Sequence, residues 1–299
     1  MKKKILITIF SIIGVLVVSI VGYGIYVYNN LTNTADQIHK PIDRQSTKRS
    51  GEVNLNNKDS VGILLLGVDQ RPGDRGRSDT MIYVTVNPKT NSAKMISIPR
   101  DTRTLLVGRN TQDKINHAYA FGGVKMSMDS VEHLLDVPVD YYVQVNMESF
   151  KDIVDAVGGV DVNSSFSFNY DGAQFQEGNI HLDGEKALKY VRMRYEDPQG
   201  DFGRQERQRQ VIQGIVDKAI SLNTITKVDD ILKSIGNNVQ TNLTLEEMQK
   251  FQKDYATARN NIETLQLKGQ GTKIDRVYYF IPDETSLNDV QQTLKTSLE

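Results

Sequence analysis

The chain has 299 residues, a formal net charge of −1 and no cysteine. This length permits one large domain or two small ones. The near-neutral charge disfavours a nucleic-acid partner, because domains that bind nucleic acids usually carry an excess of basic charge. The lack of cysteine excludes disulfides, thiolate metal sites and cysteine nucleophiles, but a chain of this size can bury a sufficient core without disulfides, so export is not excluded.

The N-terminus has the pattern of a membrane anchor. Three lysines precede Ile5–Tyr28, a run of 24 residues without charge. At about 1.5 Å of helix per residue this run exceeds the roughly 30 Å bilayer core. A cleaved signal peptide is the alternative, but the run is longer than a usual signal-peptide core and no clear A-x-A-like cleavage site follows.

We therefore predict that residues 1–28 form a cytoplasmic tip and a single transmembrane helix. The basic N-terminus favours the cytoplasmic side, which places the rest of the chain outside the cell membrane. Residues 29–58 are polar and weakly patterned. They are predicted to be a linker that is mostly mobile.

The next segment predicts three strands. Val61–Val68 is an unbroken apolar run, typical of a buried strand. Thr80–Asn87 alternates and is rich in β-branched residues, and Ala93–Ile98 follows the turn sequence NPKTN. A hairpin of the last two strands would bring their outer ends together.

Charged residues stand where these strands end. Asp69 follows the first strand, Asp79 begins the second, and Arg100 leaves the third beside Asp79. Two carboxylates near guanidinium groups suit a divalent cation and phosphate groups. One aspartate is alternatively a base for an attacking hydroxyl, and structural ion pairs are the third possibility. The arginines expected nearby are Arg71, Arg77 and Arg103.

The rest of the chain alternates strands with helices. Val139–Asn146 has the pattern of a strand, and Met147–Val157 and Gly203–Ser221 have the pattern of amphipathic helices. This alternation indicates an α/β layered sheet. We see no composition break that marks a second domain, so 59–299 is predicted to be one domain. The segment 164–177 is either a loop or an added hairpin.

A second group of arginines lies near the start of the long helix. Arg204, Arg207 and Gln208 share one helix face, and helix N-termini favour anions. Eleven of the fifteen arginines lie in 71–109 and 192–209, where lysine is scarce. Because arginine binds phosphate oxygens in a bidentate way, this clustering predicts a phosphate-handling site. The GxSxG, HExxH and Walker-type motifs are missing.

Several motifs together resemble one family. GVDQR, GRSDT, SIPRDT, KINHAY, VGGVDV, RMRY and R-x-x-RQ occur in that order over roughly residues 59–222. They resemble the signature of LytR-CpsA-Psr proteins, membrane-anchored cell-wall enzymes of mainly Gram-positive bacteria. The resemblance implies a mixed central sheet between helices, an α-β-α domain, with a hydrophobic tunnel for a lipid.

The implied reaction is a phosphotransfer. Such proteins resemble enzymes that move an anionic glycopolymer, wall teichoic acid or capsular polysaccharide, from a polyprenyl-pyrophosphate donor to peptidoglycan, where the acceptor is the 6-hydroxyl of N-acetylmuramic acid. Polyprenyl phosphate would be released. The alternatives are a polyprenyl pyrophosphate phosphatase, with water as acceptor, and a non-catalytic envelope regulator.

The resemblance also implies roles for individual residues. Asp69 and Asp79 match aspartates associated with Mg²⁺, and the expected catalytic set adds Arg100 and Arg194. The matching pyrophosphate-contacting positions are Arg71, Arg77, Arg103, Lys114, Arg192, Arg194, Arg204, Arg207 and Gln208, with Asp101 beside them. The apolar faces of 147–157 and 211–220 either line the lipid tunnel or form ordinary core.

Overall fold

The computed structural model describes residues 24–69, 76–147, 150–221 and 228–299. The helices are α1 over 24–38, α2 His117–Leu135, α3 Phe150–Ala156, α4 Gly184–Arg192, α5 Asp201–Ser221, α6 Val228–Asn238, α7 Leu245–Lys250 and α8 Glu284–Leu298. The strands are β1 Val61–Asp69, β2 Arg77–Asn87, β3 Ser92–Ser97, β4 Arg103–Leu106, β5 Thr111–Lys114, β6 Tyr141–Asn146, β7 Val160–Ser164, β8 Phe168–Tyr170, β9 Ala173–Phe175, β10 Gly178–Leu182, β11 Val239–Thr241, β12 Ile262–Gln266, β13 Gly269–Ile274 and β14 Val277–Pro282.

Within the described residues, six strands form the main sheet in the order β11–β6–β1–β2–β3–β12. β2 is antiparallel to both β1 and β3, and its pairing with β3 is the expected hairpin. β6 is parallel to β1, and β12 is parallel to β3. The expected mixed central sheet is therefore confirmed.

The two faces of β1 explain its unbroken apolar sequence. Leu64, Leu66 and Val68 are buried in a core that also contains residues of α2 and α8. The intervening Leu65 and Gly67 face an apolar cavity on the other side of the sheet, beneath α3, α5 and α6. A strand covered on both faces needs apolar residues at consecutive positions, and here the covering helices produce the α-β-α layering.

Local signals in the sequence correspond to observed features. The Asp183 side chain accepts a hydrogen bond from the Lys186 amide at the start of α4, and Thr244 and Glu247 form a reciprocal capping box at α7. The undecided segment 164–177 contains the β8–β9 hairpin. Residues 228–250 hold α6 and α7 with β11 between them.

The predicted linker is packed against the domain. Arg44 pairs with Asp129 at 2.5 Å and with Glu132 at 2.7 Å. Arg49 pairs with Asp140 at 2.7 Å. These ion pairs hold in place a polar segment that was predicted from the sequence to be mobile. The prediction failed because the acidic partners lie about 85 to 91 residues further along the chain, where no local pattern reveals them.

The predicted anchor falls largely on residues 1–23, outside the described residues. In the described ranges, no helix has both the length and the apolar character needed to cross a membrane.

Candidate active site

The pairing of β1 with β2 is interrupted beside the predicted aspartates. Gly67 pairs with Thr80, but Val68 pairs with Ser78, so Asp79 is the extra residue of a β-bulge. A bulge redirects a side chain that regular alternation would place elsewhere. Here it leaves Asp79 half-buried in a pocket at the end of the sheet, between the buried Ser78 and Thr80.

Arg100 follows β3 and lies beside this aspartate. Its Nη1 is 3.0 Å from Asp79 Oδ1, and its Nε is 3.8 Å from Asp101 Oδ2. Asn116 Nδ2 also donates to Asp79 Oδ1, at 3.3 Å. Burial tends to lower the pKa of Arg100, but Asp79 and Asp101 raise it by more, so the guanidinium stays charged.

The opposite wall of the pocket comes from the end of α4 and the first turns of α5. Arg204 is buried and its Nη2 is 2.7 Å from Asp201 Oδ1. Arg194 Nε lies 3.6 Å from the same oxygen, so Asp201 holds two guanidiniums side by side. Burial lowers the pKa of Arg204, as do the neighbouring charges of Arg100 and Arg194. A bound anion would raise the pKa of Arg204 again, because it stabilises the charged guanidinium.

These elements together enclose a pocket of about 200 Å³. Most sequence-predicted residues meet in it: Asp69, Asp79, Arg100, Arg192, Arg194, Arg204 and Gln208. Five residues that were not predicted from the sequence complete the described lining: Thr80, Met147, Tyr170, Val191 and Tyr195. Tyr195 belongs to the RMRY motif and Thr80 to GRSDT, so membership of these motifs is the sequence signal that could have identified both residues as part of the site.

Other predicted residues lie outside the described lining of this pocket. Arg77 is exposed on β2, opposite Asp69. Arg103 and Lys114 are paired neighbours on the β4–β5 hairpin, each about 5.9 Å from the ring centre of Tyr279. Lys114 Nζ is 2.7 Å from Asp101 Oδ1, so Lys114 is linked to the site indirectly, through the residue that follows Arg100. Arg71 lies outside the described residues.

Arg207 is placed differently from the expected pyrophosphate contact. It is buried, donates to the carbonyl oxygens of Tyr190 and Met193, and pairs with Asp197. These contacts brace the chain where α4 ends, between Arg192 and Arg194. The placement favours a role in orienting those two arginines rather than direct contact with a substrate.

The residues present fit a magnesium ion that also contacts phosphate. Within the described residues no group of three or more His, Cys, Asp or Glu side chains could hold a metal ion alone. Asp69 and Asp79 nevertheless line the same pocket. Mg²⁺ commonly takes one or two carboxylates and completes its shell with waters and substrate phosphates, so this donor set suits it.

An apolar cavity of about 310 Å³ adjoins the polar pocket. Thr80, Met147, Val191 and Gln208 line both spaces. Gly67 lies at this junction, where an added Cβ would stand 2.8 Å from Met147 Sδ. The remaining lining is mostly aliphatic and comes from the sheet, α3, α5 and α6: Leu65, Leu66, Val143, Val145, Phe150, Ile153, Ile212, Ile215, Val216, Ile235 and Val239.

Both apolar stripes found in the sequence contribute to this cavity and to the core. Phe150 and Ile153 of the first stripe and Ile215 of the second line the cavity. Val154 and Val211 are fully buried in the adjoining core. The two possibilities left open by the sequence therefore both apply, to different residues of the same stripes.

Arginines and carboxylates at the mouth of an apolar cavity define a class of protein that can bind amphiphiles carrying phosphate groups. The family model described as the LytR_cpsA_psr family matches residues 25–296. The chain belongs to this family, which confirms the resemblance.

Named relatives align over most or all of the chain. A Bacillus subtilis protein named polyisoprenyl-teichoic acid–peptidoglycan teichoic acid transferase TagU is 55% identical, covering 100% of this chain and 97% of its own. The crystal structure of B. subtilis TagU is 53% identical with a TM-score of 0.67, covering 81% of this chain and 98% of that one. A structure described as TagT bound to LIIa-WTA is 35% identical with a TM-score of 0.74, covering 87% and 99%.

Proposed function

We propose that this protein is a phosphotransferase that attaches a polyprenyl-pyrophosphate-linked anionic glycopolymer to peptidoglycan and releases polyprenyl phosphate. The observation that carries the proposal is the direct junction between the arginine-lined pocket and the apolar cavity. The names of the relatives specify teichoic acid as the polymer, which favours wall teichoic acid over capsular polysaccharide.

The junction fits the two parts of such a donor. The aliphatic lining of the cavity suits the polyprenyl chain, because burying apolar surface is favourable by roughly 25 cal/mol per Å². The guanidiniums of Arg100, Arg192, Arg194 and Arg204 suit the pyrophosphate. Gln208 lines both spaces and would lie where lipid and phosphate join.

The reaction that this arrangement favours is an in-line displacement. The acceptor hydroxyl attacks the phosphorus that carries the polymer, the bond from that phosphorus to the bridging oxygen breaks, and the lipid phosphate leaves with the bond electrons. Arginines neutralise the charge that repels the incoming oxygen. Asp79 or Asp69 accepts the hydroxyl proton. Asp79 is held in place for this by Arg100 and Asn116.

Magnesium would be held by Asp69 and Asp79 together with donor phosphate oxygens. When bound, the ion would add positive charge at the pyrophosphate and help to fix its geometry. Contact with the ion makes a carboxylate a weaker base, so the aspartate that accepts the proton should be the one that contacts the ion less closely.

We also propose that residues 1–28 anchor the protein in the cell membrane, with a cytoplasmic N-terminus and the domain of residues 59–299 outside. The motif order, the uncharged N-terminal run and the basic residues before it support this topology. The donor is itself a membrane lipid, so anchoring would keep enzyme and donor on one surface.

A reconstituted reaction tests the function. Full-length protein in detergent is incubated with a polyprenyl-pyrophosphate glycopolymer, with and without peptidoglycan fragments, before and after chelation of divalent cations. We expect polymer joined to glycan only with acceptor present, loss of transfer on chelation, recovery with Mg²⁺, and weaker binding of a donor lacking the polyprenyl chain.

The other outcomes separate the alternatives. Release of free phosphate without any glycan product would indicate a phosphatase. Neither product, with wild-type behaviour in cells of an Asp79→Asn variant, would indicate a regulator. Transfer that is insensitive to chelation would contradict the magnesium proposal alone.

A further inference from the structure

A second groove, of about 370 Å³, leads away from the polar pocket. It lies between the loop after α4, the start of α5 and strand β14. Pro99, Tyr195, Gln199, Phe202, Tyr278 and Phe280 are among the residues that line it. We propose that this acceptor groove binds the glycan strand of peptidoglycan; the inference rests on the proposed function and adds the location of the second substrate.

The chemistry of the acceptor groove suits sugar rings. Tyr195 is 92% exposed and Tyr278 is 42% exposed, so both present ring surface to solvent. Aromatic rings with a polar group can pack on the apolar face of a sugar and also hydrogen-bond to its hydroxyls. Exposed aromatic surface that is rimmed by polar groups commonly marks a binding site.

The acidic residues of the groove do not make it a cation site. Asp101 is engaged by Lys114 at 2.7 Å, and Asp197 by the buried Arg207. Asp201 is engaged by Arg204 at 2.7 Å. With these carboxylates neutralised by neighbours, the tyrosine hydroxyls and the exposed Gln199 are the polar groups suited to bind a sugar.

The position of the groove assigns it to the acceptor rather than to the donor. It shares Arg194 and Tyr195 with the polar pocket, and among the described residues it shares none with the apolar cavity. In an in-line displacement the attacking and leaving oxygens stand on opposite sides of phosphorus, with the other oxygens around the equator. The leaving lipid phosphate lies toward the cavity, so the acceptor hydroxyl enters from a different opening.

Strand β14 supplies a matched pair of variants. Tyr278 lines the groove, whereas its neighbour Val277 is not among the described lining residues. Side chains alternate along a strand, so Val277 belongs to the other face of β14, and both residues are 42% exposed. We expect Tyr278→Ala in the full-length protein to raise the KM for a soluble peptidoglycan tetrasaccharide roughly tenfold, which is the effect of losing one well-packed aromatic contact. Val277→Ala should leave this KM unchanged, and Tyr278→Phe, which keeps the ring, should retain most of the affinity.

Two further measurements distinguish a failure of the acceptor groove from a failure of the proposed reaction. Binding of the polyprenyl-pyrophosphate donor should be the same in Tyr278→Ala as in the wild type; a parallel loss of donor binding would assign the groove to the donor and overturn the proposal. Direct binding of the tetrasaccharide, followed by ligand-observed NMR, needs no catalysis. If transfer never occurs but this binding depends on Tyr278, the groove stands and the proposed reaction fails. Equal binding by wild type and Tyr278→Ala overturns the groove.

Discussion

At the residue scale, the polar pocket combines three of its arginines with carboxylates. Arg100 is paired with Asp79, while Arg194 and Arg204 are held by Asp201. These carboxylates lie close to the guanidiniums and reduce their mutual repulsion before a substrate arrives. Charged groups that are already in place stabilise a transition state well, because little reorganisation is then needed during the reaction.

Replacing Arg100 by alanine should remove transfer activity without unfolding the protein. Its guanidinium is one quarter exposed and faces the pocket, so its loss affects charge neutralisation more than core packing. We expect the rate of transfer to peptidoglycan to fall by roughly 100-fold or more, with a melting temperature near that of the wild type. Arg100→Lys should recover only part of the activity, because a lysine cannot make bidentate contacts.

Arg209→Ala is the matched control for this change. Arg209 lies on α5, where it donates to Ser97 at 2.8 Å and pairs with Glu206, and it is not among the described residues that line the pocket. Its loss should leave the transfer rate within a few-fold of the wild type. Full activity in purified Arg100→Ala would remove Arg100 from the catalytic set.

The sequence predicted the meeting of Asp69, Asp79 and Arg100 because strand ends in a meander return to the same edge. It did not predict the role of Arg207. The spacing from Arg204 places both on one face of α5, but only the folded chain shows that the loop after α4 brings Asp197 against Arg207. A contact made by an irregular loop leaves no periodic signal in the sequence.

At the element scale, features that depend on residues close together in the sequence could be predicted, whereas strand pairings between distant segments could not. The caps of α4 and α7 depend on residues three positions apart. β11 and β12 have three and five residues, and each is a strand because it pairs with β6 or β3. Such short strands depend on their tertiary partners, which propensity alone does not reveal.

Glu132 is central to the docking of the N-terminal segment. Its carboxylate accepts hydrogen bonds from Arg44, Ser46 and Thr47. Burial alone would raise the pKa of Glu132, but the bonds from Ser46, Val139, Arg44 and Thr47 outweigh burial and lower it. A carboxyl whose pKa is lowered by folding stabilises the protein above its unfolded pKa, near 4.5, and this contribution is lost as the pH falls through the lowered value.

Glu132→Gln should therefore destabilise the protein at neutral pH by about 3 kcal/mol, because it leaves the buried Arg44 with one partner fewer. Chemical denaturation at several pH values measures the effect. The difference from the wild type should begin to shrink as the pH falls below about 4.5, where the carboxyl of the unfolded state takes up a proton, and should be lost once the pH passes the lowered pKa of the folded state. Glu263→Gln, which removes an exposed pair with Lys94, is the control and should change stability by no more than about 1 kcal/mol. A constant difference down to the lowest pH would contradict the assignment.

At the scale of the whole molecule, the donor and the acceptor reach the pocket by separate routes. The apolar cavity lies between the sheet and α3, α5 and α6, whereas the acceptor groove is bordered by β14. A membrane-held enzyme would meet a lipid-linked donor at a high effective concentration, since both would be confined to one surface. In the proposed topology the acceptor, a wall polymer, would approach from outside, which fits a site open on two sides.

Removing residues 1–23 tests this arrangement. The truncated protein should move from the membrane fraction to the soluble fraction, because 19 of the 24 residues of the uncharged run, 5–23, would be lost. In cells, polymer attachment should fall by roughly 100-fold or more, in line with the usual loss of effective concentration. The purified truncated protein should still bind the soluble tetrasaccharide as the full chain does, because the acceptor groove lies in the described domain. Mass spectrometry of the mature full-length protein provides the decisive contrast: an intact N-terminus supports the anchor, and a new N-terminus after the apolar run would show a cleaved signal peptide.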